Sequence, residues 1–167
     1  MLEWLRMPDI QEVLAAAIEF ERFGQEYYMR FHALVSDEKA RLLMKSLAND
    51  EKEHEGILSS ELAKLGGRAV PPSKELLEKG LAEIFPADTK VEAIGRASTI
   101  SAIEVGIGIE QRSVDFYAQN AATAGPRLQK VFEMLGQMEQ GHMELLRENL
   151  HYLKDDGVWY GYLPILD

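Results

Sequence analysis

Glu51 and His54 stand three residues apart, and so do Glu139 and His142. On an α-helix this spacing separates two side chains by about 60° around the axis and one turn along it, so both reach one point beside the helix. A carboxylate and an imidazole that meet at one point can share a divalent cation. A third pair, Glu148 and His151, begins nine residues after Glu139, about 180° around the same helix. It has no counterpart elsewhere in the chain and reads as a solvated pair.

The neighbours of each pair decide whether that point lies in a core. One helix stripe reads Leu43, Leu47, Glu51, His54, Leu58, Leu65; the other reads Leu128, Phe132, Leu135, Glu139, His142, Leu146, Leu153. Both pairs therefore interrupt an apolar face. Two further carboxylates sit in the same kind of setting: Glu21 with Leu14, Ile18, Tyr28 and Val35, and Glu110 with Ile103, Ile107, Val114 and Tyr117. Glu19, the rival of Glu21, lies about 200° around the helix from it. The acids Glu26, Glu53, Glu55 and Glu104 are expected on polar faces. Tyr28 and Tyr117 each follow a Glu of the set by two turns on the same face. A hydroxyl there can bond a carboxylate, deliver a proton or pass an electron; an aromatic core filler is the equal alternative. His32 reads as a histidine satisfied at the core boundary.

The elements that must carry these residues are helices. Long segments place apolar residues three and four apart, with Gly and Pro confined to ends or isolated points. The first helix is expected over about Asp9 to Val35, with Ser36 and Asp37 as cap candidates for a second that ends near Leu65 at Gly66-Gly67. The stretch 66–90 contains Pro71-Pro72, a short helical run capped by Ser73, and Pro86, and reads as a crossover able to start a parallel helix. A third helix is expected from about Val91 to Ala124, a break at Gly125-Pro126, and a fourth from about Arg127 to Asp155. The tail, 156–167, carries Trp159, Tyr160 and Tyr162, and suits a subunit contact or a cover on one end of the bundle.

The two halves repeat. Glu21 through Tyr28 aligns with Glu110 through Tyr117 at an offset of 89 residues, and Glu51 through His54 with Glu139 through His142 at an offset of 88. Two helical hairpins, each bearing Glu and then Glu-x-x-His, thus form the halves of one bundle. The expected fold is all-α: a four-helix bundle with a long crossover between its second and third helices, in a single domain spanning 1–167.

Four carboxylates and two imidazoles turned into one interior would repel, and each buried ion loses several kcal/mol of hydration unless positive charge sits among them. Two divalent cations balance four carboxylates. One Glu from each of two helices and Glu-x-x-His from each of the other two is the ligand arrangement of di-iron and di-manganese bundles. Glu21, Glu51, His54, Glu110, Glu139 and His142 are accordingly the candidate ligands of two divalent metal ions, and carboxylate and imidazole suit Fe, Mn and Zn alike.

Composition narrows the remaining classes. With 28 Asp+Glu against 18 Lys+Arg the net charge is −10, which disfavours phosphate backbones and anionic membrane surfaces as partners. The absence of Cys excludes a disulfide framework, thiolate catalysis and sulfur-ligated iron. Glu3, Arg6, Pro8 and Asp9 leave no apolar leader in the first ten residues, and a cytoplasmic location is expected.

Glu followed seven residues later by Tyr, then Glu-x-x-His, twice, resembles the rubrerythrin-type branch of the ferritin-like superfamily over about Val13 to His151. The resemblance implies that Glu21 and Glu110 are terminal chelating carboxylates, that Glu51 and Glu139 bridge the metals, and that His54 and His142 each bind one iron. It also implies reaction of diferrous iron with hydrogen peroxide or oxygen, in a homodimer or larger homo-oligomer. Two departures stand out. Full-length rubrerythrins carry a Cys-based rubredoxin domain, so electrons here are expected from a separate donor protein. They also carry an extra carboxylate one turn from the third-helix ligand, where this chain has Ile107 and Ser113, leaving the plain six-residue set of bacterioferritin-like centres. The leading expectation is a peroxide- or oxygen-reducing oxidoreductase, with Tyr28 or Tyr117 delivering protons. A ferroxidase or iron-storage protein and a non-catalytic bundle with a structural metal are the alternatives.

Overall fold

The computed structural model describes residues 9–35, 37–66 and 99–155. They form four helices: α1 (Ile10–Leu34), α2 (Glu38–Lys64), α3 (Thr99–Thr123) and α4 (Pro126–Asp155). The expected crossover, apart from Gly66, the part of the expected third helix over 91–98, and the aromatic tail lie outside the described residues.

Local chemistry accounts for the ends. Asp9 caps α1 through a reciprocal box in which the Glu12 carboxylate accepts the Asp9 N–H at 3.1 Å. Of the two cap candidates for α2, Asp37 takes the position, its carboxylate accepting the Ala40 N–H at 2.8 Å; Ser36 lies outside the described residues. Past the end of α2, Gly66 adopts φ +69°, the left-handed conformation that glycine reaches without a Cβ penalty, and its N–H bonds the Ala63 carbonyl at 3.0 Å. Helix α4 begins at Pro126, one residue earlier than the pattern suggested, because proline's fixed φ suits the first helical position and its missing N–H is not needed there.

Helices α1 and α2 pack along their length as one hairpin, and α3 and α4 as the other; between hairpins α1 faces α3 and α2 faces α4. Two apolar clusters fill the interior. One joins Tyr28, Phe31, Met44, Leu47, Ile103 and Leu146; the other joins Leu14, Ile18, Leu58, Tyr117, Phe132 and Leu135. The first takes the late part of α1 and the early parts of α2 and α3, the second the reverse. Helices α2 and α3 therefore run parallel to each other and antiparallel to α1 and α4. On every helix the candidate ligands fall between the residues of the two clusters, so the site is a polar layer clamped between two hydrocarbon layers. This is a ferritin-like four-helix bundle. No helix among the described residues is long and apolar enough to cross a membrane.

Phe132 is 0% exposed within the second cluster. Its replacement by Ala is expected to lower unfolding free energy by about 3–5 kcal/mol, read from chemical denaturation. A loss under about 1 kcal/mol would show that this layer is not closely packed.

Candidate metal centre

All six candidate ligands meet in the middle layer. Glu21, Glu51, His54, Glu110 and Glu139 are buried, and the His142 side chain is 11% exposed. The two imidazoles stack at 5.4 Å between ring centroids, 16° from parallel, and both turn Nδ1 toward the carboxylates. His54 Nδ1 lies 3.0 Å from Glu139 Oε1, 3.4 Å from Glu21 Oε2 and 3.6 Å from Glu51 Oε2. His142 Nδ1 lies 3.1 Å from Glu139 Oε2, 3.7 Å from Glu110 Oε1 and 3.8 Å from Glu51 Oε1. Glu51 and Glu139 thus each offer one oxygen to each imidazole.

Two groups of donors follow, Glu21, Glu51, His54 and Glu139 in one and Glu51, Glu110, Glu139 and His142 in the other, each with ligand atoms within 4.8 Å of one another. Glu51 and Glu139 belong to both. Oxygen and imidazole donors without sulfur suit borderline divalent cations such as Fe, Mn and Zn. The donor set therefore fits divalent metal binding in this layer, with Glu51 and Glu139 common to both groups of donors.

Electrostatics bear on the same fit. Burial alone would lower the His54 pKa, but its bonds to Glu139, Glu21 and Glu51 push it up to about 12. Against the same burial penalty, His142 is raised by Asp50, Glu110 and Glu139. Burial and the charge of Glu139 push Glu110 up to about 8, although His142 opposes them. Glu51 rises through burial and the charges of Glu139 and Glu21, whereas Glu139, in spite of burial, is held well below the usual carboxylate range by the two histidines. Protons on imidazole and carboxyl groups thus hold the positions that metal cations would take.

The tyrosines bond across the hairpins. Tyr28 donates its hydroxyl to Glu110, and Tyr117 donates to Glu21, so each bonds the carboxylate aligned with the one on its own helix. Both hydroxyls are raised well above 10, by burial and then by the facing carboxylates, Glu110 for Tyr28 and Glu21 for Tyr117. They stay protonated and fix one oxygen of Glu110 and one of Glu21.

The other residues fall as follows. His32 Nδ1 bonds the Arg41 carbonyl at 2.8 Å, outside the centre. Arg22 pairs with Glu19 at 2.5 Å and Glu55 at 2.8 Å, and Lys154 with Glu104 at 2.6 Å, all on outer faces. Glu148 and His151 are exposed. Two residues escaped the sequence reading. Asp50 Oδ2 stands 3.4 Å from His142 Nε2, the outer support that metal-binding histidines commonly have; its aligned position in the other half is Met138, so the repeat gave no signal. Gly24 backs Glu51 so closely that a Cβ would stand 3.2 Å from the carboxyl carbon. Its aligned position is Ser113, and only the fold reveals the crowding.

Comparison with known proteins agrees with this geometry. A search of curated proteins finds no match. A hypothetical protein from Pyrococcus furiosus has a similar solved structure, with a TM-score of 0.66 at 21% identity, covering 88% of this chain and 91% of that one. That likeness establishes shared fold. The rubrerythrin family model matches residues 12–150, a span that runs from the first turn of α1 to near the end of α4 and holds every candidate ligand, and the chain belongs to the rubrerythrin family.

Proposed function

We propose that this chain is a dinuclear non-haem iron oxidoreductase that reduces hydrogen peroxide or oxygen. The observation that carries the reading is the sharing of Glu51 and Glu139, each with one oxygen toward His54 and one toward His142. Glu21 and His54 would complete the ligand set of one iron, Glu110 and His142 that of the other. When bound, a pair of Fe(II) ions would supply two electrons, enough to divide the O–O bond of hydrogen peroxide or to take oxygen to the peroxide level.

The chain's own residues supply the rest. Buried carboxylates bring negative charge to a layer screened from water above and below by hydrocarbon, which favours the more highly charged, oxidised pair. Tyr28 and Tyr117 position Glu110 and Glu21, and each keeps an O–H at the edge of the layer from which a proton can reach a departing oxygen. Sustained turnover of such a pair needs an electron donor beyond the centre itself, which we propose is a separate protein. The plain six-ligand set, with Ile107 and Ser113 on either side of Glu110, also supports a ferroxidase reading, in which Fe(II) is the substrate and turnover needs no donor.

Elemental analysis after anaerobic Fe(II) loading is expected to find about two irons per chain, the number the paired ligand sets accommodate. Peroxide consumption should then disappear in Glu51→Ala and Glu139→Ala; full activity in both would exclude this centre as its seat. Sustained turnover with an added reductant supports the reductase reading, whereas turnover proportional to Fe(II) consumed supports the ferroxidase.

Metal loading must displace protons from His54, His142 and Glu110. Deprotonated ligands bind the cation, so affinity should rise between about pH 6 and pH 8, by about tenfold per pH unit for each proton displaced. Titration calorimetry in buffers of different ionisation enthalpy measures the protons released. An affinity that stays flat or falls over that range would mean the metal binds elsewhere.

A further inference from the structure

A recess of about 470 Å³ opens between α2 and α4, with His54 and His142 at its inner end. Asp50 and Glu53 line one side, from one stripe of α2; Glu144 and Glu148 line the other, from one stripe of α4. No Lys or Arg lines it among the described residues. Four carboxylates around one opening focus a negative potential onto the two imidazoles.

A buried atom points to a ligand there. His54 is 0% exposed, and its Nε2 has no hydrogen-bond partner. Its Nδ1 faces Glu139, Glu21 and Glu51, so Nε2 lies on the ring edge turned away from the centre, toward the recess. The matching Nε2 of His142 has Asp50 at 3.4 Å, but the position aligned with Asp50 on α4 is Met138, which offers no carboxylate. Buried polar atoms without a partner are rare and call for an explanation, and this one lies on the ring edge at the inner end of the recess, where an ion entering the centre would pass. On the opposite side of the centre, the crevice lined by Phe20, Ile109 and Phe116 offers only about 10 Å³, too little for a hydrated ion.

We propose that the α2–α4 recess is a docking and entry site for hydrated divalent cations that load the centre. Among the described residues, converging ligand atoms occur only in the two groups of the centre. The recess therefore attracts a cation with its waters still bound and passes it inward past His54 and His142. This rests on the reading of the inner cluster as a metal centre.

The test is stopped-flow loading of the full chain with Co(II), followed by its ligand-field absorption, with the final number of ions measured at equilibrium. Glu144→Gln/Glu148→Gln should slow loading by about 3- to 10-fold at low salt. The gap should close in about 1 M salt, where screening acts over roughly 3 Å. Gly141 lines the recess, and a Cβ there meets nothing within 4 Å, so Gly141→Leu starts a bulky side chain from open space at the opening and raises helix propensity. It should slow loading at least about tenfold at any salt, since it obstructs rather than repels. Gly56→Leu, equally open but outside the recess, should load like the parent chain. All four proteins should end with the same number of ions. Equal loading rates throughout would overturn the entry site and leave the centre standing; a parent chain that takes up no Co(II) would overturn the centre itself. If Gly141→Leu fails to fold, the salt-dependent slowing of the double variant decides alone.

Discussion

Four carboxylates buried in one layer of a helical bundle repel one another, and that repulsion is the constraint around which this protein is arranged. The layer tolerates them because two imidazoles are stacked among them, where the carboxylates favour their charged form, and because burial and neighbouring charge push Glu51 and Glu110 toward their neutral forms. Each hydrocarbon layer beyond it keeps water from screening the charges. A bundle with an apolar middle would be simpler to stabilise, since replacing buried ionic groups with packed hydrocarbon is commonly neutral or favourable. The charge is concentrated here at a position that only positive ions satisfy, and that is a functional arrangement rather than a stabilising one.

Tyr28 and Tyr117 illustrate how the constraint is distributed. Each belongs by packing to a hydrocarbon layer and by its hydroxyl to the polar one. Because each bonds the Glu of the opposite hairpin, orientation of Glu21 and Glu110 depends on both hairpins being in place. Gly24 acts at still shorter range, removing the one Cβ that would crowd the Glu51 carboxyl group.

The six-residue cluster and the ends of α2 were legible in the sequence because they rest on local rules: Glu-x-x-His convergence follows from 3.6-residue periodicity, and Asp37 and Gly66 act within a turn of where they stand. At Gly125-Pro126 the break was legible, but not that Pro126 itself opens α4. The duplication singled out Glu21 and Glu110 from many acids. Partnerships between helices were not legible. Tyr28 lies two turns from Glu21 along its own helix, yet it bonds Glu110, because α1 and α3 run antiparallel. Asp50 and Gly24 stayed hidden for a related reason: both matter only where the two halves differ, and the repeat that exposed the ligands averages such differences away.

The polar layer also has a consequence for register. The layers above and below it are both built from Leu, Ile, Met, Phe and Tyr, and hydrocarbon against hydrocarbon tolerates displacement. Sliding one hairpin against the other by a single turn, about 5.4 Å, would keep apolar side chains in contact at both ends. It would also separate Tyr28 from Glu110, Tyr117 from Glu21 and Glu139 from His54 together, leaving several charged groups facing aliphatic carbon. The centre therefore acts as an alignment pin: the groups that can hold metals are also the ones that select a single vertical setting of the two hairpins.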